Sequence, residues 1–199
     1  MKILAFSDVH CDLHQCAELV GKSADVDVVI GAGDFASVHK GLESTLQALA
    51  AIDKPALLVP GNNETAGDLR EAAAAAWPDA TVLHGEGTEI DGVKFFGLGG
   101  GIPTTPWDWS FDLTEAEAAS ALERNVPDGG VLVLHSPPRG FGDIAGGTRY
   151  GSDAIRAAVE VNNPTLAIFG HIHESWGFRG EIGSTRLANL GPAGAEFTI

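Results

Sequence analysis

Seven side chains suited to metal ligation recur in short blocks along this 199-residue chain. The blocks read Asp8-Val9-His10, Gly33-Asp34, Gly61-Asn62-Asn63-Glu64, His135 and Gly170-His171-Ile172-His173. Together they offer four imidazoles (His10, His135, His171, His173), two carboxylates (Asp8, Asp34) and the carboxamide of Asn62. A mixed nitrogen and oxygen set suits manganese, iron or zinc better than magnesium or calcium, which prefer oxygen alone. The set is large enough for two divalent ions, with manganese the first expectation. A pair of ions about 3.5–4 Å apart can orient a phosphoryl group, acidify a water and offset charge in the transition state. The chemistry indicated is hydrolysis of a phosphate ester. Each block alone is weak evidence, and Gly-His-x-His after an apolar run is moderately specific. The weight lies in all five occurring together.

Every block follows a short apolar run that reads as a strand. Lys2–Ser7, Val26–Gly31, Ala56–Val59, Val131–Leu134 and Leu166–Phe169 lead into Asp8, Asp34, Asn62, His135 and His171 respectively. In an open α/β sheet the functional crevice lies at the carboxyl ends of the strands, so five strands can deliver ligands to one rim. Between them, Leu13–Gly21, Leu42–Ile52 and Thr65–Trp77 have helical character. Leu42, Leu46 and Leu49 fall on one face, and Pro78 stops the third. The middle of the chain predicts short strands at Thr81–Leu83, Thr88–Ile90 and Val93–Leu98, with Asp91-Gly92 as a hairpin turn. A helix over Thr114–Asn125 starts with Thr114 and Glu117 in capping-box spacing, and another covers 152–161. From Trp176 onward the tail predicts glycine-punctuated, antiparallel strand pieces. These elements imply two packed sheets with helices outside, in one domain spanning residues 1–199.

The blocks resemble those of the calcineurin-like metallophosphoesterases, and the resemblance covers essentially the whole chain. It implies an α/β, four-layer αββα sandwich of two mixed β-sheets flanked by helices. By the family's pattern, Asp8, His10 and His173 would hold one metal ion, Asn62, His135 and His171 the other, and Asp34 would bridge them. A hydroxide bridging the ions would attack phosphorus in line, without a covalent enzyme intermediate. A weaker likeness, over His135-Ser136-Pro137-Pro138 and Gly170–Trp176, is to the subgroup containing class III cyclic-nucleotide phosphodiesterases and brain-type metallophosphoesterase-domain proteins.

One position departs from the pattern. The family commonly carries Gly-Asn-His followed by Asp or Glu, whereas this chain has Gly61-Asn62-Asn63-Glu64. The family's histidine is held to protonate the leaving oxygen or to contact the phosphate. Asn63 can donate a hydrogen bond to substrate but cannot act as a general acid at neutral pH. Losing such an acid costs roughly 10²–10⁴-fold for a poor leaving group, so esters with stable leaving groups are favoured, unless another acid substitutes. His39, in the loop after Asp34, is the first candidate for that acid; a solvated loop histidine is its plainer reading. Cys11 ranks below it, His14 falls on the first helix facing solvent or the sheet, and His84, at a strand end near a turn, reads as structural. Arg139, with Lys40 and Arg149, could hold a second phosphate oxygen, or be surface charge. Trp107 and Trp109, with Pro103 and Pro106, form an aromatic loop that either stacks on a nucleobase or aryl group or closes as a hydrophobic clasp.

Composition bounds the partners. A formal charge of −15 opposes binding along a nucleic-acid backbone, which leaves a small phosphate ester as the expected partner and argues against a nuclease. Cys11 and Cys16 do not make a disulfide framework. No apolar run approaches the ~20 residues that span a bilayer, and Asp8 interrupts the first apolar run too early for a signal peptide. The sequence therefore predicts a cytoplasmic phosphoesterase, diesterase before phosphatase, of open oligomeric state. The competing reading is a catalytically weak scaffold on the same fold.

Overall fold

The structure, a computed structural model, describes residues 1–123 and 126–199. In chain order the elements are β1 (Lys2–Phe6), α1 (Leu13–Lys22), β2 (Val28–Ala32), α2 (Leu42–Leu49), β3 (Ala56–Val59), α3 (Ala66–Ala76), β4 (Ala80–Val82), β5 (Glu86–Ile90) and β6 (Val93–Leu98). They continue with α4 (Glu115–Leu122), β7 (Val131–Leu134), β8 (Ile144–Ala145), β9 (Thr148–Arg149), α5 (Asp153–Asn162), β10 (Leu166–Phe169), β11 (Arg179–Ile182), β12 (Thr185–Asn189) and β13 (Ala195–Thr198).

Two mixed sheets carry the architecture, in the orders β13-β1-β2-β3-β4 and β11-β12-β10-β7-β6-β5. Strands β1 to β4 are parallel, with β13 antiparallel on the β1 edge. In the second sheet β12, β10, β7 and β6 are parallel, and the edge strands β11 and β5 are antiparallel.

The period-two alternation of strand side chains explains the layering. In the first sheet Leu4, Phe6, Val29 and Leu58 face α1, α2 and α3, packing with Leu19, Leu46 and Leu69. Their neighbours Ile3, Ala5, Val28, Ile30 and Leu57 point the other way, into Phe95, Val131, Val133, Leu166 and Ile168 of the second sheet. The opposite face of that sheet, through Phe96, Leu132, Leu134 and Phe169, packs on Leu122 of α4 and Ile155 and Val159 of α5. Strands buried on both faces read as unbroken apolar runs, and Val28-Val29-Ile30 and Val131–Leu134 are of this kind. The result is the four-layer αββα sandwich.

Helix starts follow local chemistry. The Thr114 hydroxyl accepts from Glu117 N while Glu117 accepts from Thr114 N, a complete capping box, and Thr65 and Asp68 form a second. Ser152 caps α5 by accepting from Ile155 N. The part of the α4 helix expected as far as Asn125 lies outside the described residues. Asp91 and Gly92 both adopt positive φ, as a type I′ turn requires, and join Ile90 to Val93.

Several expectations are corrected. β2 begins at Val28 rather than Val26, because a short 3₁₀ turn over Ser23–Asp25 delays it. The tail is not wholly antiparallel: β12 runs parallel to β10, and β13 crosses back to pair with β1. The hairpin of β8 and β9 was not expected, although Gly146-Gly147 between them is a turn signal. Among the described residues no helix is long and apolar enough to cross a membrane.

Candidate metal centre

The strand ends of β1, β2, β3, β7 and β10 open on one edge of the sandwich, where their loops place the seven predicted ligands. The backbone there is unusual. Asp8, His10, Asp34 and His171 all adopt positive φ, between 42° and 66°. Left-handed conformations are uncommon for residues other than glycine, and tend to cluster where a site over-determines them. Here hydrogen bonds hold the turns: Asp8 N donates to Gly33 O, His10 N to Asp34 O, and His171 N to the Asp8 carboxylate. The glycines before the ligands serve close approach as much as turning. A Cβ on Gly61 would collide with the Asp34 carboxylate, and one on Gly170 with Asp8 and Ser7.

The side chains converge as two groups that share Asp34. Ligand atoms of Asp8, His10, Asp34 and His173 all lie within 4.8 Å of one another, as do those of Asp34, His135 and His171. His10 Nε2 is 3.3 Å from His173 Nε2 and 3.4 Å from Asp34 Oδ2. His173 Nε2 is 3.6 Å from Asp8 Oδ1. On the other side His135 Nε2 lies 3.5 Å from Asp34 Oδ1 and 3.3 Å from Asn62 Oδ1, which brings the carboxamide into the second group. His135 Nδ1 is bonded to Ala32 O and His10 Nδ1 to Ala36 O. A carbonyl can only accept, so each ring keeps its proton on Nδ1 and turns the Nε2 lone pair inward. The donor set fits two divalent cations about the shared Asp34.

The electrostatics agree with that fit. Burial pushes the Asp8 carboxyl up, but the His173 hydrogen bond, the His135 charge and the Ser7 hydroxyl outweigh it and hold Asp8 at about 2. Burial, then the neighbouring His135, lowers His171 to about 4, so its imidazole stays neutral and able to ligate. His135 is shifted upward: burial opposes its charge, but Asp34, Asp8, the hydrogen bond to Ala32 and Glu64 outweigh it, an excess of negative charge that cations held here would offset in place of the ring proton.

Three residues beyond the expected ligands brace the centre. Glu64, 1% exposed, accepts from Gly61 N, Asp34 N and Ala36 N at 2.7–2.9 Å and from Phe35 N at 3.4 Å, joining the loops after β2 and β3. Burial and then the Asp34 charge push its carboxyl up to about 7. Ser7 donates to Asp8 and accepts from Gly191 N. Trp176 donates its indole N–H to Asp8 Oδ2 at 3.2 Å and lies 4.3 Å, centroid to centroid, from the His173 ring. It thereby touches two ligands of the first group. The sequence signals Trp176 only weakly, as an aromatic three residues after His173.

Asn63 sits at the centre, but its side chain is engaged. Nδ2 donates to Asp34 Oδ2 at 2.8 Å, Oδ1 accepts from Val38 N at 2.8 Å, and the backbone N–H donates to Asp34 Oδ1. It orients the shared carboxylate and ties down the 36–40 loop. The structure does not bring His39 to the ligands: its Nε2 bonds to Trp109 O at 2.6 Å, and the ring borders a neighbouring cavity with Glu43 and Glu64. Arg139 lies 3.8 Å from Asp153 at the start of α5, and Arg149 pairs with the buried Asp143 at 2.6 Å. Cys11 points its thiol at Phe35 O and Lys40 O, His14 is exposed on α1, and His84 accepts from Gly99 N.

Comparison with known proteins agrees with this geometry. The sequence matches the calcineurin-like phosphoesterase profile over residues 1–175. It is 30% identical over 200 residues to a UPF0046 protein of Caenorhabditis elegans, covering 89% of this chain and 65% of that protein. It is 34% identical over 95 residues to human metallophosphoesterase domain-containing protein 1, covering 45% of this chain and 29% of that one. The chain thus spans less than two thirds of the length of either relative. Among solved structures the fold is shared with TT1561 of Thermus thermophilus (TM-score 0.77, 18% identity, 96% of this chain and 90% of that one). It is also shared with a dimetal phosphatase from Danio rerio (TM-score 0.62, 12% identity, 97% and 88%). With a profile match over most of its length and two ligand groups sharing one aspartate, the chain belongs to the calcineurin-like phosphoesterase family.

Proposed function

We propose that this protein is a two-metal phosphodiesterase acting on small esters with stable leaving groups. The observation that carries the reading is the sharing of Asp34 by two ligand groups. Asp8, His10 and His173 would hold one cation and Asn62, His135 and His171 the other, with manganese the first expectation and iron or zinc the alternatives. Two bound cations would supply Lewis-acid charge to the phosphoryl oxygens and lower the pKa of a water.

The chain's own residues support the finer choices. A diester presents one negative charge and a monoester presents close to two. Among the described residues, none of those lining the cavity over the centre is Lys or Arg, and Glu174 is there instead. An acidic surface of net charge −15 further disfavours the more highly charged monoester. Asn63 cannot release a proton, and both ends of its carboxamide are already bonded. A leaving oxygen that departs as a stable anion needs no acid, so activated esters suit this site.

The test is hydrolysis of bis-p-nitrophenyl phosphate and p-nitrophenyl phosphate with and without Mn²⁺, in wild type and Asp34→Asn. Mn²⁺-dependent turnover with the diester preferred, lost by at least ~10²-fold in the variant, is expected, since Asp34 serves both ions. A preference for the monoester would overturn the diesterase choice. Absence of turnover in protein that binds two ions would favour the scaffold reading.

A further inference from the structure

The cavity over the metal centre has a volume of about 650 Å³ and two chemically different walls. One wall is the ligand cluster. The other is apolar and aromatic, built from Pro103, Pro106, Trp107 and Trp109, with Tyr150 on its border. Trp107 and Trp109 stack with their ring planes 9° apart and centroids 5.4 Å apart. Trp107 nevertheless remains 51% exposed and Tyr150 49%. Both indoles line the cavity, and part of the Trp107 surface is left open to it beside Trp109.

This wall is fixed, and fixed to the metal centre. The Asp112 carboxylate accepts from Thr105 N and Oγ1 at 2.6 and 2.8 Å and from Ser110 Oγ at 2.6 Å. Ser110 Oγ in turn accepts from Nδ2 of Asn62 at 2.8 Å, and Phe111 N donates to Asn62 O at 2.9 Å. His39 donates to Trp109 O from outside, which gives that histidine a role in holding the aromatic loop. A metal ligand and the stacked indoles thus share one hydrogen-bonded unit. A clasp that closed by its own hydrophobic packing would bury its aromatics, which Trp107 does not do.

We propose that this wall is the subsite for a planar aromatic substituent of the phosphodiester, either an aryl group or a nucleobase. The inference rests on the phosphodiesterase reading above. A flat π-face stacks on an indole whatever its hydrogen-bonding pattern, and the wall offers mainly aromatic and proline surface to that end of the substrate. The Glu174 carboxylate on the same cavity, which is not among the candidate ligands, disfavours a substituent with further negative charge.

The test separates binding from chemistry by using monoanionic probes whose only ester bond carries an alkoxide, a poor leaving group in a site without a general acid, with phosphorus NMR verifying that they stay intact during the titration. Methyl esters of phenylphosphonate, cyclohexylphosphonate and methylphosphonate are titrated calorimetrically into Mn²⁺-loaded wild type and Trp107→Ala. Stacking on an aromatic side chain predicts that the phenyl probe binds at least about fivefold tighter than the methyl probe, and tighter than the cyclohexyl probe of similar size. In Trp107→Ala the phenyl advantage is expected to fall within about twofold, the part left by Trp109 and Tyr150. Trp107 is half exposed and belongs to none of the core clusters, so its removal is expected to leave the core intact, and a thermal melt verifies this. A parallel comparison of adenosine 5′-methylphosphonate with ribose 5-methylphosphonate identifies the source. A Trp107-dependent gain in both series supports any planar group, and a gain in the adenosine series alone supports a nucleobase. Equal affinity of all probes, or a phenyl and adenosine advantage that survives Trp107→Ala, overturns the inference. If the methyl probe binds and diesters are turned over in that case, the phosphodiesterase reading survives alone. If no probe binds and nothing is hydrolysed, both fall.

Discussion

Asn63 differs by one functional group from the histidine the family commonly carries, and the consequence divides into positioning and proton transfer. Its carboxamide bridges Asp34 Oδ2 and Val38 N, so any substitution disturbs the shared carboxylate. An imidazole could supply the proton that a carboxamide lacks. These effects separate in the ratio of rates on two leaving groups. Loss of positioning lowers both rates, whereas a new acid raises only the one that needs a proton. For Asn63→His the ratio of alkyl to p-nitrophenyl diester turnover is expected to rise by at least ~10-fold, a modest part of the 10²–10⁴ available to a general acid. An unchanged ratio would mean that proton donation at this position does not limit the reaction.

At the scale of elements, the five strand ends are useful only if their loops keep register with one another. Glu64 does this for two of them. From the first residues after β3 it reaches back to Gly61 N and across to Asp34 N, Phe35 N and Ala36 N after β2. A carboxylate can accept at every lone pair. A glutamine side chain must turn an NH₂ group toward backbone N–H groups, donor against donor. Glu64→Gln is therefore expected to cost about 1–3 kcal/mol of stability, the range for leaving a buried polar group unsatisfied. It should also weaken metal binding, because Asp34 lies in the loop that is released. Urea denaturation and a Mn²⁺ titration check this, and a variant as stable as wild type would show that the brace is redundant.

For the molecule as a whole, the sandwich buries titratable groups away from the centre as well. His84 lies in the connection between β4 and β5, against the Phe111 ring, with its Nδ1 accepting from Gly99 N. Burial, then the Arg70 charge, holds it below its ordinary value, with Glu86 pulling weakly the other way. As pH falls through about 6.5 the unfolded chain takes up this proton before the folded one, so stability drops. Above that pH both states are neutral at His84 and the effect vanishes. His84→Asn keeps an acceptor for Gly99 without the titration. Its melting temperature is expected to fall less than that of wild type between pH 7.5 and 5.5. Parallel curves for the two proteins would remove His84 from the account.

The sequence by itself determined the ligand types, their order and their place at strand ends, because apolar runs buried on both faces are visible as uninterrupted strings and each ends in a ligand block. It also determined the capping box at Thr114 and the hairpin at Asp91-Gly92, since both are settled by contacts within a few residues. Only the tertiary structure decided what those blocks do together. The sharing of Asp34 was already implied by the family's pattern, whereas the brace from Glu64, the Trp176 contacts with Asp8 and His173, and the engagement of both ends of Asn63 depend on contacts between residues far apart in the chain. The same holds for His39, which proximity to Asp34 in sequence associates with the ligands, whereas the fold gives its ring to Trp109 O. Local spacing reports which faces and turns a segment can adopt. Which distant side chains finally touch depends on how two sheets pack through a common core, and that is a property of the whole chain.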